Sequence, residues 1–430
     1  MRVAVLGATG LIGAAVVARL LADGHRVTGF ARRVDRGARS QPLATWASLD
    51  MSRLTRPQDW APHLRDLDAV VNCAGLLQDA PGESVRAVHC DALAALAAAC
   101  AAAGVRRVVQ ISAIGLDGAA ATTFTRTKQA GDAALMTRDL DWVVLRPSVV
   151  VGRQAYGGSA LFRSLAALPA LPVVSGTGPL DVVQLDDVAA TVAFFLRPGA
   201  PARLVLDLAG PEHLAFADVV GLYRRWLGLP EAWTVTVPPP LAALAFRLGD
   251  AAALLGWRPP LRTTALREIR RGAQGDPARW QAVTGIAPQS LAAALAAEPA
   301  GVQERWFSAL YLLKPIILGV LALLWIVTGL ISLGPALAGG ADLLREAGAG
   351  SLAAALAVAG ALADLVIGLG IAWRRTARPA LWAGVGLAAF YALAASALLP
   401  RLWLDPLGPL VKILPILALH AVALATLRDR

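Results

Sequence analysis

Lysine is almost absent from this chain of 430 residues: Lys128, Lys314 and Lys412 stand alone among 40 basic side chains, which face 30 acidic ones. The formal charge of +10 is thus carried by arginine. That bias suits a GC-rich coding sequence, and no basic stripe interleaves with aromatics, so no nucleic-acid partner is expected. Cysteine is equally scarce. Cys73, Cys90 and Cys100 are odd in number, form no CxxC pair and fall in one apolar region, which argues against a disulfide framework and for reduced core thiols. The five histidines show no metal-ligand spacing, so no metal is expected. Charged residues make up only 16% of the chain, where a soluble domain carries about a quarter. With 57% hydrophobic residues, disorder is excluded and a wholly soluble protein is not expected. Residues 1–6 break at Gly7 with only Arg2 as a cation, unlike a signal peptide. No repeat of solenoid period is present.

Long apolar runs are abundant, but only toward the C-terminus. Residues 309–333, 351–372, 379–399 and 407–427 are each near the 20 residues needed to cross a bilayer. The sequence therefore predicts a domain at 1–300 followed by an all-α, four-helix transmembrane bundle at 301–430. Arg374, Arg375 and Arg378 lie between the second and third runs, Arg305 and Lys314 stand before or at the start of the first, and Arg428 and Arg430 end the chain. The other two loops carry Asp342, Arg345 and Glu346, and Arg401 and Asp405. The positive-inside rule then predicts a multi-pass protein of the inner (plasma) membrane, with the N-terminal domain and C-terminus cytoplasmic. The alternative is a helical bundle buried in a soluble protein.

At the N-terminus, Arg2–Leu6 reads as a buried strand, residues 14–22 as a helix and 25–31 as a second strand. Between the first two lies Gly7-Ala8-Thr9-Gly10-Leu11-Ile12-Gly13. In this context Gly7 permits the tight turn, Gly10 lets the backbone approach a pyrophosphate and Gly13 allows close helix–strand packing, while the helix N-terminus offers free N–H groups. The second strand ends at Arg32-Arg33, where NAD sites usually place an acid. Arginine suits a ribose 2′-phosphate, so NADP(H) is favoured over NAD(H), the alternative being two solvated surface arginines. Residues 69–71, Arg107–Ile111 and 142–145 read as further strands, with a long alanine-rich helix over 89–103. The whole predicts an α/β doubly wound parallel sheet of Rossmann type, with a small substrate lobe at about 152–300. Within that lobe the apolar run 241–255, interrupted by Arg247 and Asp250, reads as a core helix in preference to a membrane-surface one. His89, in Val88-His89-Cys90-Asp91, reads as a structural histidine, and His25, His63, His213 and His420 are isolated.

These motifs resemble the short-chain dehydrogenase/reductase family in its atypical or extended branch. The resemblance rests on Gly7-x-x-Gly10-x-x-Gly13, Leu49-Asp50-Met51, Asn72-Cys73-Ala74-Gly75, Ile111-Ser112-Ala113, Lys128, Arg146-Pro147-Ser148 and Gln184-Leu185-Asp186-Asp187-Val188-Ala189. It covers about residues 1–290 and is similar above all to the subgroup of the NADPH-holding accessory subunit of complex I. It implies that Asp50 and Met51 lie by the adenine, that Asn72, Cys73, Ala74 and Gly75 line the cofactor with Pro147 beside it, and that Lys128 holds the nicotinamide ribose. The family's proton donor is a tyrosine four residues before the lysine, and here Phe124 fills that slot. Ser112 and Lys128 are then the catalytic groups left. The hydroxyls of Thr122, Thr123 and Thr125 are too weakly acidic to replace a phenol, and Tyr156 is a loop alternative.

The last 120 residues resemble the DoxX-like four-helix family, on Trp325-Ile326-Val327-Thr328-Gly329-Leu330, on Asp364 and on the stretch from Leu402 to Lys412. A carboxylate inside an apolar span needs a partner or a cavity. Lys412 is the expected partner of Asp364 and Asp405 a second one; alternatively Lys412 snorkels and Asp364 is protonated. Trp325, Trp373, Trp382 and Trp403 are expected to include interfacial anchors. Two functions remain open. One is a membrane-tethered NAD(P)H oxidoreductase acting on a lipophilic, quinone- or isoprenoid-like small molecule. The other is a non-catalytic NADPH-binding structural or redox-sensing module for a membrane protein partner. Transport through the spans has only Asp364 behind it.

Overall fold

The computed structural model describes residues 1–116 and 122–427, so Arg428 and Arg430 lie outside the described residues. The chain forms two compact units, one of Met1–Asp250 with Pro259–Ser308 and one of Ala251–Arg258 with Ala309–Arg430.

The first unit is built on a seven-stranded parallel sheet. Its strands are β1 (Arg2–Leu6), β2 (Arg26–Ala31), β3 (Thr45–Ser48), β4 (Ala69–Asn72), β5 (Arg107–Ile111), β6 (Asp141–Pro147) and β7 (Leu204–Leu208). Their spatial order is 7-6-5-4-1-2-3. Valine-rich strands such as β1 and β4 are buried on both faces, as a parallel sheet between helical layers requires. On one face α1 (Leu11–Ala22) packs Val16, Val17 and Leu20 against Val188 and Val192 of the helix Leu185–Phe195. On the other, α2 (Ala92–Ala103) contributes Leu93 and Leu96 to a core with Leu6 and Val70. The predicted helix over 89–103 is thus α2 preceded by a single π-helical turn, Ala87–Asp91, that holds His89. The strand order reverses between β1 and β4, and ligands of such sheets bind beyond the carboxyl ends of the strands at that reversal. A smaller lobe pairs the strands Ala170–Val174 and Trp233–Val237 in parallel and buries Phe162, Phe216, Val219 and Tyr223 together.

The second unit is helical: α5 (Val302–Leu333, which enters from the first unit), α6 (Ala353–Ala372), α7 (Ala377–Leu398) and α8 (Ile413–Thr426). α4 (Pro239–Leu254) contains the boundary between the units. Among the described residues, three helices are long and apolar enough to cross a membrane: α5, α6 with the turn before it, and α7. The run at 407–427, expected to be a fourth span, is instead a helix of 14 residues, about 21 Å long against a hydrocarbon core of roughly 30 Å. Pro406 and Pro409 flank Gly408, whose φ of 56° is left-handed, and helix begins only at Ile413. Lys412 is exposed at its N-cap. Asp364 is buried and accepts instead from the Tyr391 hydroxyl, at 3.5 Å. Trp325 is also buried, donating to His420 Nε2 at 3.1 Å, whereas Trp373, Trp382 and Trp403 are exposed.

Candidate dinucleotide site

The turn after β1 has the shape its glycines imply. Gly7 sits at φ 68°, and a Cβ there would lie 2.9 Å from the Ala74 nitrogen, so the loops after β1 and β4 touch. A Cβ on Gly13 would overlap the Gly7 carbonyl oxygen. Gly10 is the extended N-cap of α1 and provides no side-chain cap. The first helical bond is donated by Ala14 N–H to the Gly10 carbonyl, so the amides of Leu11, Ile12 and Gly13 precede it and are available to an anion. Ala8 is buried and its N–H donates to Phe30, while Thr9 is exposed. This cradle, which a side chain would fill, fits a dinucleotide diphosphate.

Around it the other predicted residues take distinct places. Arg32 and Arg33 are exposed at the end of β2, and Arg32 forms an ion pair with Glu83. Asp50 accepts from the Ser52 hydroxyl at 2.7 Å and so shapes the turn in which Met51 is buried. Asn72 is buried and bonded on both sides: its Nδ2 donates to the side-chain Oε1 of Gln110 at 2.8 Å and its Oδ1 accepts from Ala74 N–H at 3.1 Å. Burial pushes the Cys73 thiol up to about 12, so it is a packing group. Gly75 is exposed, and a Cβ on it would sit 3.5 Å from both His89 Nε2 and Lys128 Nζ. Pro147 is buried at the end of β6, its carbonyl accepting from Ile114 N–H.

α3 (Thr123–Met136) brings Phe124, Lys128 and Asp132 onto one face at i, i+4 and i+8. Lys128 is buried and donates to the Ile111 carbonyl at 2.8 Å. Burial lowers its pKa, and the Asp132 carboxylate opposes that. Ser112 donates to Asp132 Oδ2 at 2.5 Å. Gln110 and Asp132 escaped the sequence reading. Their signals are a lone amide in the apolar strand β5 and an acid one turn after Lys128.

His89 is a neutral structural group. Leu76 N–H can only donate, so His89 Nε2 accepts its hydrogen at 3.0 Å. Nδ1 must then carry the ring proton and donate to Thr127 Oγ1 at 3.1 Å. Burial first, and the Lys128 charge second, pull the His89 pKa down to about 2. The Phe124 ring meets it edge-on with centroids 5.5 Å apart. An unfolded chain binds this proton below about pH 6.5 while the folded one does not, so stability falls as the pH drops from about 6.5 toward 2, by up to about 1.4 kcal/mol per pH unit. Replacing His89 by Gln should flatten the slope of melting temperature against pH between 6.5 and 4. Equal slopes in the two proteins would refute the assignment.

His213 is not isolated, as the sequence suggested. It bonds the fully buried Asp181 at 2.6 Å, and Asp181 also accepts from Gly275 N–H at 2.9 Å. Partners 32 and 94 positions apart along the chain are invisible to local spacing. Tyr156 is exposed on its loop.

With this geometry, the comparisons are concordant. Residues 7–167 match the family described as NAD(P)H-binding, and residues 322–421 match the DoxX-like family. The 3-diazoavenalumate denitrifying reductase of a Streptomyces species is 30% identical over 311 residues, covering 65% of this chain and 94% of that protein. The ceramide reductase of Caulobacter vibrioides is 26% identical over 284 residues, covering 60% of this chain and 86% of that protein. The structure of the Bordetella bronchiseptica enzyme WbmG in complex with NAD aligns with a TM-score of 0.54 at 17% identity, over 69% of this chain and 92% of the other, a likeness of fold. The chain belongs to the NAD(P)-binding, short-chain dehydrogenase/reductase-like family and carries a membrane-associated DoxX-like domain behind its Rossmann domain.

Proposed function

We propose that this protein is an NADP(H)-dependent oxidoreductase of the inner membrane, with its Rossmann domain cytoplasmic, acting on a lipophilic small molecule of quinone or isoprenoid class. The observation that carries the reading is a glycine cradle that fits a diphosphate and three helices long and apolar enough to cross a membrane in one chain. A tether of that kind favours substrates that partition into the bilayer, and the Caulobacter relative bears the name of a lipid reductase. The Gly7–Gly13 turn holds the diphosphate, Gly75 leaves room beside Lys128, and Lys128 positions the ribose. A reduced nicotinamide supplies a hydride when bound. Phe124 has no proton to give, and the Ser112 hydrogen is engaged by Asp132, so the proton comes from water or from the substrate's own chemistry. The detergent-solubilised chain should oxidise NADPH with at least one member of a panel of quinones and long-chain carbonyl compounds.

Phe124 also favours a second reading, a non-catalytic NADPH-holding module for a membrane protein partner. Tight nucleotide binding with no turnover for any acceptor would select it. Arg32 bears on the cofactor. A charge-assisted contact to the 2′-phosphate is worth about 1.5–3 kcal/mol, so Arg32→Asp should weaken NADPH by at least roughly tenfold and leave NADH nearly untouched. An unchanged preference would return Arg32 to its role as the partner of Glu83 alone.

A further inference from the structure

α4 departs from the core-helix expectation. Its buried face is made of Ala242, Phe246 and Ala253, yet Leu241, Leu244 and Leu248 are 58%, 52% and 61% exposed, and Leu255, just past its end, is exposed as well. Those four lie at i, i+3, i+7 and i+14, a single stripe turned away from the buried side. The charges that seemed to interrupt the run are placed off it. Asp250 turns aside to accept from Gln78 Nε2 at 3.0 Å and from Arg262, and Arg247 flanks the stripe. The strand leading into α4 adds Trp233, 85% exposed, and Val235 on the same alternating face.

A helix apolar on two faces needs a second apolar surrounding, and the segment just past α4 says which. Trp257 Nε1–H donates to the carbonyl of Ala372, the last residue of the span α6, at 2.7 Å. Arg374 N–H donates to the Leu255 carbonyl at 3.0 Å, and the Arg374 guanidinium lies over the Trp257 ring, 5.4 Å from its centroid. Leu255, at the end of the leucine stripe, is therefore fastened where a helix long and apolar enough to cross a membrane ends. Arg258, Arg374, Arg375 and Arg378 gather in these segments, a charge suited to anionic lipid headgroups.

We propose that α4 is an in-plane membrane helix, with Leu241, Leu244, Leu248 and Leu255 sunk into the acyl boundary of the leaflet bordered by the 373–378 loop. The partner is a lipid surface carrying anionic headgroups. The inference does not depend on the chain being catalytic. To test it, the full-length chain is placed in nanodiscs containing phosphatidylglycerol, with bimane attached to Leu244→Cys, Leu248→Cys or the water-exposed control Asp66→Cys. The unsubstituted protein reports background from Cys73, Cys90 and Cys100. Blue-shifted emission at 244 and 248, quenched by doxyl-labelled phospholipid but not by iodide, with the reverse at 66, is the expected result. Iodide quenching at all three positions would overturn the proposal. Protection from both quenchers at 244 and 248 would also overturn it, because a protein surface, such as a second copy of this chain, would then cover the leucines. A labelled variant that fails to fold is recognised by its melting curve, and the adjacent Leu241→Cys then serves the same test.

Discussion

Gly13→Ala abolishes measurable binding of both NADPH and NADH. The added methyl overlaps the Gly7 carbonyl oxygen, and there is no flexible side chain to yield, only backbone. Relief requires either that α1 back away from the turn or that the Gly7 peptide rotate. Gly7 is confined by Ala74 behind it and holds a left-handed φ, so the helix start moves. The amides of Leu11, Ile12 and Gly13 then no longer converge on one point, and a diphosphate loses both its donors and its place at the helix dipole. The measurement is a titration with reduced nucleotide followed by fluorescence, beside a melting curve. Gly24→Ala is the control. Gly24 also has positive φ, at 81°, with open space around it, so that change costs stability and leaves affinity intact. Wild-type affinity in Gly13→Ala would remove the diphosphate from this turn.

Phe124→Tyr raises turnover of carbonyl acceptors by about 10²–10⁴-fold, the usual worth of a positioned general acid. Phe124 lies one helical turn before Lys128 on the same face of α3, partly buried, with its ring edge on the neutral His89. A phenol introduced there has the Lys128 ammonium one helical turn away on the same face, and a neighbouring positive charge lowers a phenol's pKa toward the working range. Nucleotide affinity should not change, because Phe124 is not part of the diphosphate cradle. No gain with any ketone or quinone, at unchanged nucleotide affinity, would show that position 124 does not face the reacting carbonyl. A large gain would identify the natural protein as one from which the family acid has been removed.

Much of this architecture is written locally. The glycine turn, β1, the run of alanines in α2 and three long apolar helices each follow from neighbours within a few residues, because backbone conformation, periodicity and hydropathy are short-range properties. The shortened helix of the run 407–427 is also local in origin, but the side-chain partners were decided by contacts far apart along the chain. Asp364 meets Tyr391 on another helix in place of Lys412, and His213 meets Asp181. The Asn72–Gln110 bond, which joins residues 38 positions apart, is likewise a product of the tertiary structure.

The amino-acid order by itself determined the fold class, the glycine turn and the membrane-associated character, since each is a pattern carried by one stretch of chain. Only tertiary structure decided the protonation of His89, the engagement of Ser112 by Asp132 and the outward face of α4. Those depend on which distant groups exclude water or supply a hydrogen-bond partner, and no spacing along the chain encodes that.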